Sequence, residues 1–126
     1  AGEIQAGFVN HYYLYRFLHE EGENFPARNY FIPDGGPGSL VMTSGAGILK
    51  TSKNQDAAIK FLEFMLSPVA QQYFTTQTYE YPVVEGVIAP RELPALESLH
   101  KLSIDVADLA DLQGTISLLR ETAILP

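Results

Sequence analysis

The chain has 126 residues, 46% hydrophobic and 18% charged, enough apolar material for a packed core and too apolar for a disordered tail. A net charge of −7 and eight scattered Lys and Arg side chains exclude a phosphate-tracking nucleic-acid surface and disfavour an anionic membrane. The sequence has no cysteine, which removes disulfides, thiolate metal sites and cysteine nucleophiles, and no apolar run approaches the roughly 20 residues that span a bilayer.

In chain order, residues 4–9 mix small and apolar side chains and read as a short strand. Asn10 then stands where a helix N-cap belongs. The i,i+4 pairs Tyr13/Phe17 and Leu14/Leu18 predict a short helix that Gly22 stops. Residues 25–32 read as a second strand, closed by Pro33-Asp34-Gly35-Gly36-Pro37-Gly38, a run that demands a loop. Residues 40–49 carry β-type side chains around Gly45 and Gly47, the pattern of a strand with a bulge or a close backbone approach. Ser52 or Asn54 caps the next helix, with Ala58, Phe61, Leu62 and Met65 on its buried face. Ser67-Pro68 caps and opens another, with Val69, Ala70, Tyr73 and Phe74 inward.

After an irregular stretch over 79–94, Asp105 caps a final helix with Leu109, Leu112, Ile116 and Leu119 at helical spacing and Gly114 as a kink or split. Strand and helix alternate, which points to α/β architecture. The opening Ala1-Gly2-Glu3, without methionine or a basic-then-apolar leader, reads as a cut in a longer polypeptide, whereas Leu125-Pro126 reads as a natural terminus.

Three groups compete for a chemical role. The first is Asn10-His11-Tyr12-Tyr13 at the predicted strand-to-helix junction, where open α/β sheets place their ligands and a helix N-terminus offers N–H groups to an anion. Two phenolates are hard oxygen ligands suited to Fe(III), whereas Zn(II) prefers His and Cys. Adjacent tyrosines at a helix start also serve as half-buried packing residues, and the residues alone leave both readings open. The second group, residues 34–38, lacks the Gly-Lys-Ser/Thr ending of a phosphate loop and reads as a tight connection. The third, Tyr79-Glu80-Tyr81-Pro82, offers a carboxylate flanked by phenols, with Pro82 favouring a turn. No nucleophile elbow, zinc-protease helix or dinucleotide fingerprint occurs, and His11, His19 and His100 lack metal-site spacing, so no catalysis is expected.

The segment Val9-Asn10-His11-Tyr12-Tyr13-Leu14-Tyr15-Arg16 resembles the twin-tyrosine segment of periplasmic ferric-ion-binding proteins, the solute-binding subunits of iron(III) ABC transporters. The likeness continues through Gly38-Ser39-Leu40-Val41, Gly45-Ala46-Gly47-Ile48-Leu49-Lys50, Ser52-Lys53-Asn54, Glu80-Tyr81-Pro82-Val83 and Asp108-Leu109-Ala110-Asp111-Leu112-Gln113-Gly114. It implies the C-terminal portion of a type II periplasmic-binding-protein fold, which is α/β and transferrin-lobe-like. Residues 1–42 would form a C-terminal-lobe segment with the twin-tyrosine site, 43–93 a segment of the N-terminal lobe, and 94–126 C-terminal-lobe helices.

By the same resemblance Tyr12 and Tyr13 are iron ligands and Asn10 helps hold a synergistic anion, carbonate or phosphate, beside the Fe(III). The implied partners are an ABC transporter permease and either the missing N-terminal portion or a second copy by exchange. The implied location is periplasmic or otherwise extracytoplasmic, free or tethered as a lipoprotein. Family members are more than twice this length and take further ligands from earlier in the chain, and Gly35-Gly36 stands where many carry Gly-Asp. The alternatives are a solute-binding protein for another anionic or small organic ligand and a non-catalytic interaction module.

Overall fold

The structure, a computed structural model, describes residues 2–33 and 35–126. Four α-helices follow one another: α1 (Tyr12–Glu21), α2 (Gln55–Met65), α3 (Pro68–Thr78) and α4 (Leu112–Glu121). Short 3-10 turns occupy Pro37–Ser39, Leu96–Ser98 and Val106–Leu109. Helix α3 is the centre, with α1 packed on it from one side and α2 from another.

The local signals explain most helix ends. Gly22 takes φ 83°, beyond the comfortable range of other residues, and its N–H donates to the Leu18 carbonyl at 3.0 Å to close α1. Ser67 caps α3 by accepting from the Ala70 N–H at 3.3 Å, with Pro68 at the first helical position as expected. The last helix departs from its prediction. Asp105 caps a 3-10 turn through a capping box, and α4 begins only at Leu112, where Asp111 accepts from the Gly114 N–H at 2.8 Å. The split thus falls ahead of Gly114, which sits inside the first turn of α4.

The predicted strands over 4–9, 25–32 and 40–49 do not pair, and no strand occurs among the described residues. A strand exists only through a ladder with a neighbour, and these segments find none here. Two predicted inward faces are covered only in part: Ala70 is buried and Ala58, Leu62, Met65 and Phe74 are half-buried, but Phe61 of α2 and Val69 and Tyr73 of α3 are more than half exposed. The buried side of α3 is Ala70, Gln71 and Thr75, and the rest of the small core is Leu14, Tyr15 and Leu93.

The surface area measures how much the chain leaves uncovered. It exposes 10,705 Å² at a mass of 13.9 kDa, where a self-contained monomer of that mass exposes about 6,700 Å². Much of the excess is apolar, including Phe8, Met42, Leu49, Phe64 and Leu112.

Polar contacts hold the core where apolar area is scarce. Gln71, 8% exposed, donates from Nε2 to the Met65 carbonyl at 2.9 Å and accepts from the Val83 N–H at 2.9 Å. The Tyr15 hydroxyl donates to the Glu92 carbonyl at 2.9 Å, tying residues 79–94 to α1, and the Tyr81 hydroxyl donates to the Pro94 carbonyl at 2.7 Å, closing that segment on itself. Burial pushes the Tyr81 phenol up to about 12, with the charges of Tyr15 and Glu97 adding to it.

Gln71→Ala removes the partner of two peptide groups and should destabilise by about 1–3 kcal/mol in denaturant unfolding. Thr75→Val should do the opposite, stabilising by about 1 kcal/mol, because the fully buried Thr75 Oγ1 has no partner among the described residues. The Tyr81 phenol is raised, so the stability it contributes is complete below the unfolded tyrosine value near pH ~10 and is lost as pH rises toward its folded value. Alkaline unfolding followed by circular dichroism should therefore begin between these limits. Tyr81→Phe should remove that increment of pH dependence.

Candidate functional site

The twin tyrosines open α1, and the turn before them is set by a backbone bond from the Tyr13 N–H to the Asn10 carbonyl at 3.2 Å. The N-cap is His11, one residue later than predicted, and it makes no side-chain cap bond. Asn10 is thereby released from capping. Its amide Nδ2 donates instead to the Tyr12 hydroxyl oxygen at 3.0 Å. The Tyr12 and Tyr13 rings meet edge to face with centroids 4.8 Å apart and an interplanar angle of 71°. Tyr12 is half-buried and Tyr13 is 41% exposed, so the pair faces an open side of the molecule.

His11 joins this turn to two distant segments. Its Nε2 lies 2.8 Å from the Tyr79 carbonyl, and since a carbonyl only accepts, Nε2 carries the proton and donates. The imidazole also contacts the rings of Tyr12, Phe31 and Tyr81, at 5.5, 6.4 and 5.1 Å. The His11 carbonyl accepts from the Asn29 amide at 2.8 Å. Tyr79 and Tyr81, which belong to a separate group in the sequence, are thus brought against His11. Asn29 carries no local sequence signal and was identifiable only from the fold.

Tyr79 is the C-cap of α3 and takes a left-handed φ of 59°, a conformation that costs a non-glycine residue about 1–2 kcal/mol. A stacked contact with Tyr15, at 4.5 Å and 11°, holds it there. Five of the seven tyrosines therefore gather around one turn, and they are not equivalent. Tyr15 and Tyr81 donate to backbone carbonyls, which fixes them as neutral phenols, and burial raises both. Tyr12 accepts a hydrogen bond, which favours its phenolate form.

The Tyr12 phenol still lies above the ordinary tyrosine value. Hydrogen bonding with Tyr13 contributes most, then desolvation and the Tyr13 charge. The Asn10 amide opposes these, and the Glu80 carboxylate adds to the rise. Glu80 is half-buried, and its Oε2 lies 2.7 Å from the Thr78 hydroxyl, whose single proton also faces the Phe74 carbonyl at 2.7 Å.

The other candidate groups stay apart. Residues 35–39 close as a 3-10 turn in which the Ser39 hydroxyl donates to the Ile32 carbonyl at 2.8 Å, a structural connection, while Asp34 lies outside the described residues. His19 and His100 are exposed and do not join His11. Among the described residues no three His, Asp or Glu side chains converge to hold a metal.

Comparison with known proteins shows the family of the chain. Residues 1–72 match the family model of bacterial extracellular solute-binding proteins. The chain is 33% identical over 121 residues to the major ferric iron-binding protein of Neisseria meningitidis serogroup B, covering 95% of this chain and 37% of that one. It is 38% identical over 92 residues to iron uptake protein A1 of Synechocystis, covering 69% and 26%. It is 29% identical over 127 residues to the Fe(3+)-binding periplasmic protein of Serratia marcescens, covering 99% and 37%. The chain thus spans between about a quarter and little more than a third of the length of these curated relatives, and it belongs to the bacterial extracellular solute-binding protein family.

Proposed function

We propose that this chain supplies the twin-tyrosine half of a ferric-iron site in an extracytoplasmic solute-binding protein that delivers iron to an ABC transporter permease. The observation that carries the reading is the pair Tyr12 and Tyr13. They are adjacent at a helix start, with one phenol oxygen accepting from Asn10 and neither donating to a backbone carbonyl among the described residues. The similarity to proteins named for ferric iron binding and iron uptake supports it.

Residues 1–42 and 94–126 then belong to one lobe and 43–93 to the other, with iron held in the cleft between them. On that division the packing of α1 on α3 and the His11–Tyr79 hydrogen bond are contacts between lobes. Asn10 and the N–H groups of the first α1 turn would help hold carbonate or phosphate beside the metal. Two phenolates leave much of an octahedral shell to be filled, which fits further donors from outside this chain. The protein would bind and release its cargo without altering it.

A visible absorption titration with ferric citrate on the full-length polypeptide tests the site. A phenolate-to-iron charge-transfer band should appear, and Tyr12→Phe/Tyr13→Phe should abolish it. A band that persists in the double variant overturns the reading.

The pH dependence has a fixed sign. Tyr12 lies above pH ~10 and both phenols must lose a proton to bind, so affinity should fall by up to about 100-fold for each pH unit of acidification, two protons at tenfold each. Competition titrations against citrate at a series of pH values would measure the slope. A slope near zero would exclude two phenolate ligands.

A further inference from the structure

Residues 22–31 fold back along α1, from its C-terminus to its start. Gly22 makes the turn at φ 83°. The Phe25 ring then stacks on Phe17 of α1, with centroids 4.9 Å apart and 6° between the planes. The Arg28 guanidinium braces the returning segment by donating to the carbonyls of Glu23 at 2.7 Å, Ala27 at 2.6 Å and Phe25. Phe31 comes within 6.4 Å of the His11 ring. Among these anchors Asn29, half-buried, donates from Nδ2 to the His11 carbonyl at 2.8 Å. A side chain 18 residues further along thus holds the backbone oxygen immediately ahead of the twin tyrosines.

The His11 carbonyl and the Tyr12 N–H belong to one planar trans peptide unit, so fixing the first fixes the second and points it the opposite way. The Tyr12 N–H opens α1 and has no carbonyl inside the helix to receive it. Carbonate or phosphate, in the reading above, sits beside the metal at this helix start, where such N–H groups point. Asn10 acts on the Tyr12 hydroxyl, whereas Asn29 acts on the backbone that carries it.

We propose that Asn29 is a positioning residue of the twin-tyrosine site, holding the peptide between His11 and Tyr12 so that the Tyr12 N–H faces the bound anion. This rests on the ferric reading with its accompanying anion, and it adds a residue that touches neither of them. Without the Asn29 donor that peptide is free to tilt. The anion then loses an aligned N–H, while both phenol oxygens remain available to iron.

The test is a ferric citrate titration of the full-length polypeptide at a series of phosphate or bicarbonate concentrations, with folding checked by circular dichroism. Asn29→Leu keeps the size and removes the donor, and Asn29→Ala removes it without adding apolar bulk. Each should raise the anion concentration that gives half the full charge-transfer band by about tenfold, the loss expected when a supporting hydrogen bond behind a metal site is removed. The band at saturating anion should keep its wavelength, because both phenolates still bind. Asn29→Gln retains the amide and should recover most of the anion response.

A purely structural Asn29 would lower the unfolding midpoint and leave the anion response of the folded protein as it was. That result in either Asn29→Leu or Asn29→Ala would overturn the proposal, as would an Asn29→Gln variant that responds no better than Asn29→Ala. The underlying reading is tested separately. A band that survives Tyr12→Phe/Tyr13→Phe removes the twin-tyrosine site, and a wild-type band indifferent to both anions removes the anion, whatever Asn29 does.

Discussion

The contact between the C-terminus of α3 and the first turn of α1 decides which phenols in this chain are available for chemistry. Tyr79 is held in a left-handed conformation by its stack on Tyr15, and that conformation aims its carbonyl at His11. Once this junction is closed, Tyr15 and Tyr81 are consumed as donors to the carbonyls of Glu92 and Pro94. What remains is the adjacent pair Tyr12 and Tyr13, open on one side and supplied with a donor by Asn10. A cluster of phenols is thereby sorted by hydrogen bonding into members that donate to backbone carbonyls and a pair that does not among the described residues.

Electrostatics acts in the same place and with a definite sign. The Tyr13 hydrogen bond, desolvation and nearby negative charge hold the Tyr12 phenol above its ordinary value against the opposing pull of the Asn10 amide. Such phenols stay protonated at neutral pH and ionise only for a cation that repays the loss of the proton. A trivalent ion does this far better than a divalent one, because its attraction for each oxygen is greater at the same distance.

The large exposed surface is the other side of this arrangement. Phe8, Met42, Leu49, Phe64 and Leu112 are side chains that ordinary monomers cover, and three segments of strand-like sequence run without ladder partners among the described residues. The relatives are nearly three times as long as the matched stretch, which supplies a physical reason for the uncovered faces: they are shaped for neighbours that this stretch does not contain. The helices survive without those neighbours because their hydrogen bonds close within each segment, whereas strands cannot.

That contrast separates what the sequence by itself determined from what the tertiary structure decided. Ser67-Pro68, Gly22 and the apolar spacing along α1 and α2 place helices correctly because a cap or a terminator acts within a few residues. Tyr12, Tyr13 and Asn10 were legible as a candidate site for the same reason, since adjacency in sequence already brings their oxygens and amide together. The outward turn of Phe61, Val69 and Tyr73 was not legible, because periodicity reports that a face is apolar without naming the surface that covers it. Nor was the role of His11, which depends on residues 68 and 70 positions away in the chain reaching its ring. Local chemistry chose the phenols, and only the packing of α3 on α1 could bring the His11 ring to the Tyr79 carbonyl.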